Sequence, residues 1–160
     1  MVDLGAAPGG FLQVILDRVG PKGRVVGVDL APIRPLGHPN VTTAVLDVLA
    51  PQFDDELAAL HQGPFDVVVS DLAPKTTGIR STDEARSLRL AQKALEIARV
   101  RGRPGGHFVA KLFMGGDFEL FRSEVRALFE EVKVVRPEAT RGASVEVYLV
   151  GLNRKGPSTG

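Results

Sequence analysis

Between an opening apolar run, Met1–Leu4, and an amphipathic stretch that starts at Gly10 stand Gly5, Ala6, Ala7, Pro8, Gly9 and Gly10. Glycines permit a tight turn and let a ligand approach the backbone closely. The N–H groups that open a following helix suit a carboxylate or a phosphate. Asp29 ends a second apolar run 24 residues after Gly5, where an acid hydrogen-bonds the hydroxyls of a ribose. Loop, helix and acid together point to an adenosine-containing cofactor. The dinucleotide pattern G-x-G-x-x-G needs glycine where this chain has Ala7, and Pro8 lacks an N–H that a pyrophosphate would use. That tilts the reading toward S-adenosylmethionine, which carries no phosphate.

Two more acids close apolar segments, Asp47 after Val45-Leu46 and Asp71 after Val69-Ser70. Acids at successive carboxyl ends of a parallel sheet all face the ligand crevice. Asp47 is placed to accept a hydrogen bond from the adenine amine. Asp71 is placed to favour the positive charge of a sulfonium. Each acid taken alone reads equally as a turn or helix-cap residue; the series of three favours the crevice.

The elements that must position these residues alternate short apolar runs with longer amphipathic ones. That pattern predicts a mostly parallel sheet covered by helices. Expected strands are Met1–Leu4, Arg24–Asp29, Val41–Leu46, Phe65–Ser70, Gly106–Leu112, Glu131–Val135 and Val145–Leu152. Expected helices are Gly10–Val19, Asp54–His61, Ser81–Arg101 and Phe118–Glu130. The last two strands are joined by Arg136–Ser144, too short for the crossover that parallel neighbours need. The final strand is therefore expected to run antiparallel. One α/β domain is expected over residues 1–153, with 154–160 as a flexible polar tail.

Bulk properties narrow the classes. At 160 residues, 44% hydrophobic and 24% charged, the chain suits one globular domain. It has no cysteine, so disulfide frameworks and thiolate metal sites are excluded, and no metal site is expected. No apolar run approaches a membrane span, and no signal peptide is visible. These features lead us to expect a cytoplasmic monomer. Net charge is only +1. From Lys75 to Arg103, however, eight basic residues face three acidic ones. This stretch reads either as a solvated helix face or as a surface that attracts phosphates.

Four segments then resemble one family. Gly5–Gly10, Ser70-Asp71-Leu72-Ala73-Pro74, Val109-Ala110-Lys111-Leu112-Phe113 and Ser144-Val145-Glu146-Val147-Tyr148 look like the successive signatures of the FtsJ-type ribose 2′-O-methyltransferases. The resemblance runs in order from Met1 to about Lys155. It implies a Rossmann-like methyltransferase fold of seven strands, mostly parallel with one antiparallel strand. It also implies S-adenosylmethionine as donor and RNA, specifically large-subunit ribosomal RNA, as acceptor. The family's Lys-Asp-Lys-Glu tetrad carries over as Asp71, Lys111 and Glu146. Its first lysine belongs to a helix before the glycine loop, and this chain opens on that loop. Phe11 stands where tryptophan is usual, an aromatic wall for the cofactor. Lys75 stands where asparagine or aspartate is common, available to an RNA phosphate.

The chemistry accounts for these residue types. A ribose 2′-hydroxyl must shed its proton as it attacks the methyl carbon in line with the departing sulfur. A lysine amine can take that proton. Lys111, late in a strand that reads buried, is the candidate base, with Asp71 and Glu146 orienting amine and hydroxyl. The expected cofactor set is Gly5, Ala6, Pro8, Gly9, Gly10, Phe11, Asp29, Asp47 and Asp71. For RNA, Pro74–Arg80 reads as a mobile loop over the crevice, and Arg136 and Arg141 flank the last loop. A cofactor-binding but non-catalytic RNA-binding module, a tRNA ribose methyltransferase and a nicotinamide-dependent dehydrogenase are the alternatives.

Overall fold

The computed structural model describes residues 1–137 and 145–157. Eleven elements follow in chain order: β1 (Val2–Leu4), α1 (Gly10–Val19), β2 (Val25–Asp29), β3 (Val41–Val45), α2 (Phe53–Leu60), β4 (Phe65–Ser70), α3 (Arg80–Arg101), β5 (Gly102–Phe113), α4 (Phe118–Leu128), β6 (Phe129–Val135) and β7 (Glu146–Arg154). The strands form one seven-stranded sheet in the order β3-β2-β1-β4-β5-β7-β6. β7 runs antiparallel to both neighbours, β5 and β6, and the other pairings are parallel. The short β6–β7 connection dictates this direction, as the sequence implied.

The two faces of the sheet are covered unequally. Residues of α2, α3 and α4 pack with Val2, Leu4, Val26, Val28, Val68, Phe108, Ala110 and Leu112 in the main core. On the other face α1 packs Leu12, Ile15 and Leu16 against Val25 and Ala6. Gly27 permits this approach: a Cβ there would sit 2.7 Å from Leu12 Cδ1. Helix ends follow the macrodipole, with Asp54, Asp55 and Glu56 opening α2 and Arg99 and Arg101 closing α3.

The boundaries differ from expectation by more than one residue in three places. α4 ends at Leu128, not Glu130, and β6 begins at Phe129. Phe129 is claimed by the sheet: its ring stacks on Phe108 at 5.8 Å between centroids and fills the space left by Gly151. β5 starts at Gly102, four residues earlier than expected. Its register against β4 breaks between Phe65 and Val67, where Gly105 takes a positive φ. β7 continues through Arg154, and the Lys155 N–H donates to the Leu128 carbonyl at 2.9 Å. Asn153 and Arg154 therefore extend the sheet into the stretch expected to fray.

Candidate active site

The strand order reverses between β1 and β4. At such a switch point the connections from the two carboxyl ends diverge and leave a crevice. The sequence sets acids along this edge. Asp29 ends β2, Asp47 follows β3, and Asp71 follows β4. All three line one cleft of about 550 Å³, with Gly5, Ala7, Leu30, Val48, Leu49 and Leu72 among its walls. Its size and its mixture of apolar walls with a few polar groups suit a nucleoside-sized ligand. A second depression, of about 470 Å³, opens at the opposite end of the strands beside Arg24, Asn40 and His61. It has no carboxylate in its lining.

Each acid also has structural work. Asp29 Oδ2 accepts from the Ala7 N–H at 2.9 Å, and Oδ1 from the Ala31 N–H at 3.0 Å. It thereby ties the glycine loop to the end of β2. Asp47 Oδ1 accepts from the Leu49 N–H at 3.0 Å and closes a turn. A carboxylate has about four acceptor sites, so each retains lone pairs for a ligand.

The glycine loop meets the cleft at Gly5 and Ala7. Gly5 sits at φ 85°, and a Cβ on it would lie 3.0 Å from Asp71 C and Leu72 N. It lets the backbone after β4 come close, and that approach fixes Asp71. Beyond Ala7 the loop turns away from the cleft. Ala6 is buried with Leu12 in the smaller core. The Pro8 carbonyl accepts from the Arg34 N–H at 3.0 Å, and Gly9 faces Ile33 and Leu36. Gly10 opens α1 with free space around it, and Phe11 is 49% exposed. Of the nine expected cofactor residues, Gly5, Asp29, Asp47 and Asp71 line the cleft; Ala6, Pro8, Gly9, Gly10 and Phe11 do not.

Lys111 comes to the same edge on β5, beside β4 in the register Ser70↔Ala110. Its Nζ lies 3.1 Å from Asp71 Oδ1, with its side chain 15% exposed against 39% for Asp71. Tyr148 on β7 lies directly opposite Lys111, and its hydroxyl donates to the same Asp71 oxygen at 3.3 Å. Burial, then the charge and hydrogen bond of Asp71 and the charge of Glu146, raise the phenol above its ordinary range. Glu146 pairs with Phe113, one step nearer the sheet edge on the face that carries Lys111 and Tyr148. It makes no hydrogen bond or ion pair among the described residues. Three groups thus converge directly, Lys111, Asp71 and Tyr148, and Glu146 shares their face.

Four residues, Tyr148, Arg86, Arg89 and Asp3, were not singled out individually in the sequence as parts of the site. Tyr148 was quoted only as part of a motif; its i+2 spacing from Glu146 was the available signal. Arg86 and Arg89 reach the cleft from α3. Asp3 on β1 is fully buried, and both its carboxylate oxygens lack a hydrogen-bond partner among the described residues. Burial first, then the charges of Asp71 and Asp29, push its carboxyl up to about 7. Among the RNA candidates, Arg136 contacts Met114 Sδ at 3.8 Å; Arg141 and Ser144 lie outside the described residues. The Pro74–Arg80 stretch, expected to be mobile, is tethered at its middle. Asp83 accepts from the Thr77 N–H at 2.7 Å, Thr77 Oγ1 at 2.9 Å and the Gly78 N–H at 3.2 Å. No group of metal-ligating side chains occurs among the described residues.

A mostly parallel sheet with one antiparallel strand, carboxylates along its switch-point edge and a lysine on β5 is the arrangement of a Rossmann-like methyltransferase. Comparison with known proteins narrows the class. The chain belongs to the FtsJ-like methyltransferase family, which it matches over residues 1–154. It is 72% identical to the ribosomal RNA large subunit methyltransferase E of Myxococcus xanthus over 157 residues, covering 98% of this chain and 74% of that protein. It is 56% identical to the protein of the same name from an Anaeromyxobacter species over 151 residues, covering 94% of this chain and 55% of that protein. The chain thus spans between about half and three quarters of these relatives. Among solved structures, a ribosomal RNA methyltransferase from Plasmodium falciparum superposes with a TM-score of 0.85 at 24% identity. That match covers 98% of this chain and 86% of the other. Human methyltransferase-like protein 13 follows with 0.64 at 20% identity, covering 99% and 72%. These two likenesses establish the shared fold.

Proposed function

We propose that this protein methylates the 2′-hydroxyl of a ribose in RNA, with S-adenosylmethionine as donor and large-subunit ribosomal RNA as acceptor. The observation that carries the reading is the convergence of Lys111 and Tyr148 on one oxygen of Asp71, at the edge of the cleft that Asp29 and Asp47 line. The acceptor follows from the family and from the names of the relatives. An rRNA acceptor places the work in the cytoplasm, and the reading keeps the protein a monomer.

The cleft fits the donor. Asp29 accepts from ribose hydroxyls with the lone pairs its loop contacts leave free, and Asp47 accepts from an exocyclic amine. Leu30, Val48 and Leu49 supply apolar walls for a flat base. Bound there, the donor supplies an electrophilic methyl carbon on a positively charged sulfur. The protein's part is orientation and proton handling. Asp71 holds the Lys111 side chain, and Tyr148 limits the positions that the Asp71 carboxylate can take. Lys111, as the neutral amine, receives the proton that the 2′-hydroxyl sheds as its oxygen bonds to the methyl carbon and the carbon–sulfur bond breaks, releasing S-adenosylhomocysteine. Glu146, on the same face, orients the incoming hydroxyl. Proton transfer to a positioned group is worth roughly 10²–10⁴-fold, and alignment of donor and acceptor supplies more.

The test is transfer of labelled methyl groups to ribosomal RNA and to purified large subunits, with nuclease digestion locating the label on ribose. Lys111→Ala is expected to abolish transfer and to leave S-adenosylhomocysteine affinity nearly intact. Full activity in that variant, or label on a base, overturns the assignment. A wild-type chain that binds cofactor and RNA without transfer favours the non-catalytic reading.

A further inference from the structure

The cleft is acidic within and basic at its mouth. Asp29, Asp47 and Asp71 face the interior, and Lys75, Arg86 and Arg89 line the same cavity from the Pro74–Ile79 loop and α3. Three other cations along α3 are engaged. Arg80 pairs with Glu84 at 2.8 Å, and Lys93 with Asp54 at 3.2 Å. Arg101 donates to the Gly63 carbonyl at 3.0 Å and lies over the Phe65 ring. Arg86 and Arg89 are exposed and have no carboxylate partner among the described residues. Three residues apart on a helix, they present to one side.

The rim is organised rather than a chance cluster of long side chains. Arg86 Nη1 donates to the Lys75 carbonyl at 3.3 Å, which joins helix to loop. Asp83, 4% exposed, takes the three hydrogen bonds from Thr77 and Gly78 and fixes the loop that carries Lys75. Solvated charges on a helix need no such anchorage.

We propose that Arg86, Arg89 and Lys75 bind RNA backbone phosphates and seat the acceptor strand over the cleft. The proposal rests on the reading of RNA as acceptor. The methyl donor brings one carboxylate and no phosphate, so three cations at the mouth, without a carboxylate partner among the described residues, exceed what it needs and serve an anion carried by the other substrate. A phosphate is repelled by the three carboxylates inside and held outside them, which leaves the intervening ribose facing Asp71. Arginine presents a planar fork matched to phosphate oxygens. Such contacts position a strand and do not read its bases.

The experiment measures binding of a fluorescently labelled ribosomal RNA fragment against salt concentration, together with steady-state methyl transfer. In the double variant Arg86→Gln, Arg89→Gln the slope of log affinity on log salt is expected to shrink by roughly 0.7 for each charge removed on a single-stranded fragment. KM for RNA rises about tenfold or more, with a smaller change in kcat. Arg86→Lys with Arg89→Lys keeps most of the slope. Arg99→Gln, an exposed cation near the far end of α3, leaves it unchanged. S-adenosylhomocysteine calorimetry establishes that each variant is folded. An unchanged slope in the double variant overturns the rim, as does an equal loss in Arg99→Gln, which would mark a diffuse field. Absence of methyl transfer by the wild type to any RNA defeats the function reading instead, so the two failures are told apart.

Discussion

Lys111 Nζ and Asp71 Oδ1 lie 3.1 Å apart on neighbouring strands, at the level where β1 and β4 diverge. They are 40 residues apart in the chain and are brought together by sheet register alone. Ser70 pairs with Ala110, so the residues that follow each stand side by side. Tyr148 arrives from the opposite direction because β7 is antiparallel. A parallel final strand would present its residues in the reverse order, and the Lys111–Tyr148 pairing would not form.

Asp71→Asn keeps the shape of this centre and removes its charge. Transfer is expected to fall by about 10²-fold or more, because both the lysine and the hydroxyl lose their ionic anchor. The effect on ligands discriminates further. S-adenosylmethionine carries a positive sulfur and S-adenosylhomocysteine does not. A charge contact in a half-exposed cleft is worth about 1 kcal/mol, so preference for the charged ligand should drop roughly fivefold. Competition calorimetry with the two ligands reads this directly, and an unchanged ratio removes Asp71 from the sulfonium.

Tyr148→Phe deletes one hydrogen bond at 3.3 Å and leaves the Lys111–Asp71 contact standing. A single hydrogen bond of this kind contributes about 0.5–1.5 kcal/mol. The variant should therefore lose less than about tenfold in kcat. A loss as large as that of Lys111→Ala would make Tyr148 a participant in the chemistry rather than a support for Asp71.

Much of this arrangement was legible in the chain. Val25–Val28 and Val67–Val69 identify buried strands by being apolar on both faces, and the short Arg136–Ser144 connection fixes the direction of β7. Asp29, Asp47 and Asp71 were found because carboxyl ends of parallel strands share an edge. Less legible was what depends on packing between distant segments. Ala6, Pro8 and Gly9 read as a ligand cradle, whereas Ala6 and Gly9 pack against the stretch around Ile33 and Leu36, and nothing local announces that fold-back. Phe129 reads as the last turn of a helix until Phe108 and Gly151 claim its ring. Arg86 and Arg89 lay within a basic stretch; which of its cations stay unpaired depends on Asp54, Glu84 and other partners.

Gly5→Ala tests the role the structure gives this loop. The residue sits at φ 85°, and the added Cβ would meet the Asp71–Leu72 backbone at 3.0 Å. Left-handed backbone costs a non-glycine residue roughly 1–2 kcal/mol, and the clash with main chain adds to it. A loss of about 2 kcal/mol or more is expected in urea denaturation. Methyl transfer should fall further than cofactor binding, since the displaced group is Asp71. Binding lost with transfer retained would return Gly5 to the role of a direct ligand contact.

Asp3→Asn tests the buried acid of β1. Asp3 is 0% exposed, and neither carboxylate oxygen has a hydrogen-bond partner among the described residues. Its carboxyl is pushed from 3.8 to about 7 by burial and by the charges of Asp71 and Asp29. The folded protein therefore holds a proton that the unfolded chain releases near pH 4. Stability from this group is fully present below the unfolded pKa and is lost as pH rises toward 7, the sense in which the folded state binds more protons. Three pKa units correspond to about 4 kcal/mol, shared with whatever else titrates in this range. Asparagine cannot ionise, so Asp3→Asn should come within about 1 kcal/mol of the wild type near pH 4.5 and exceed it by on the order of 2–4 kcal/mol at pH 8. Urea denaturation at the two pH values measures the difference. Parallel pH dependence in the two proteins would mean that Asp3 is ionised in the folded state, held by a partner that its unpaired oxygens do not show.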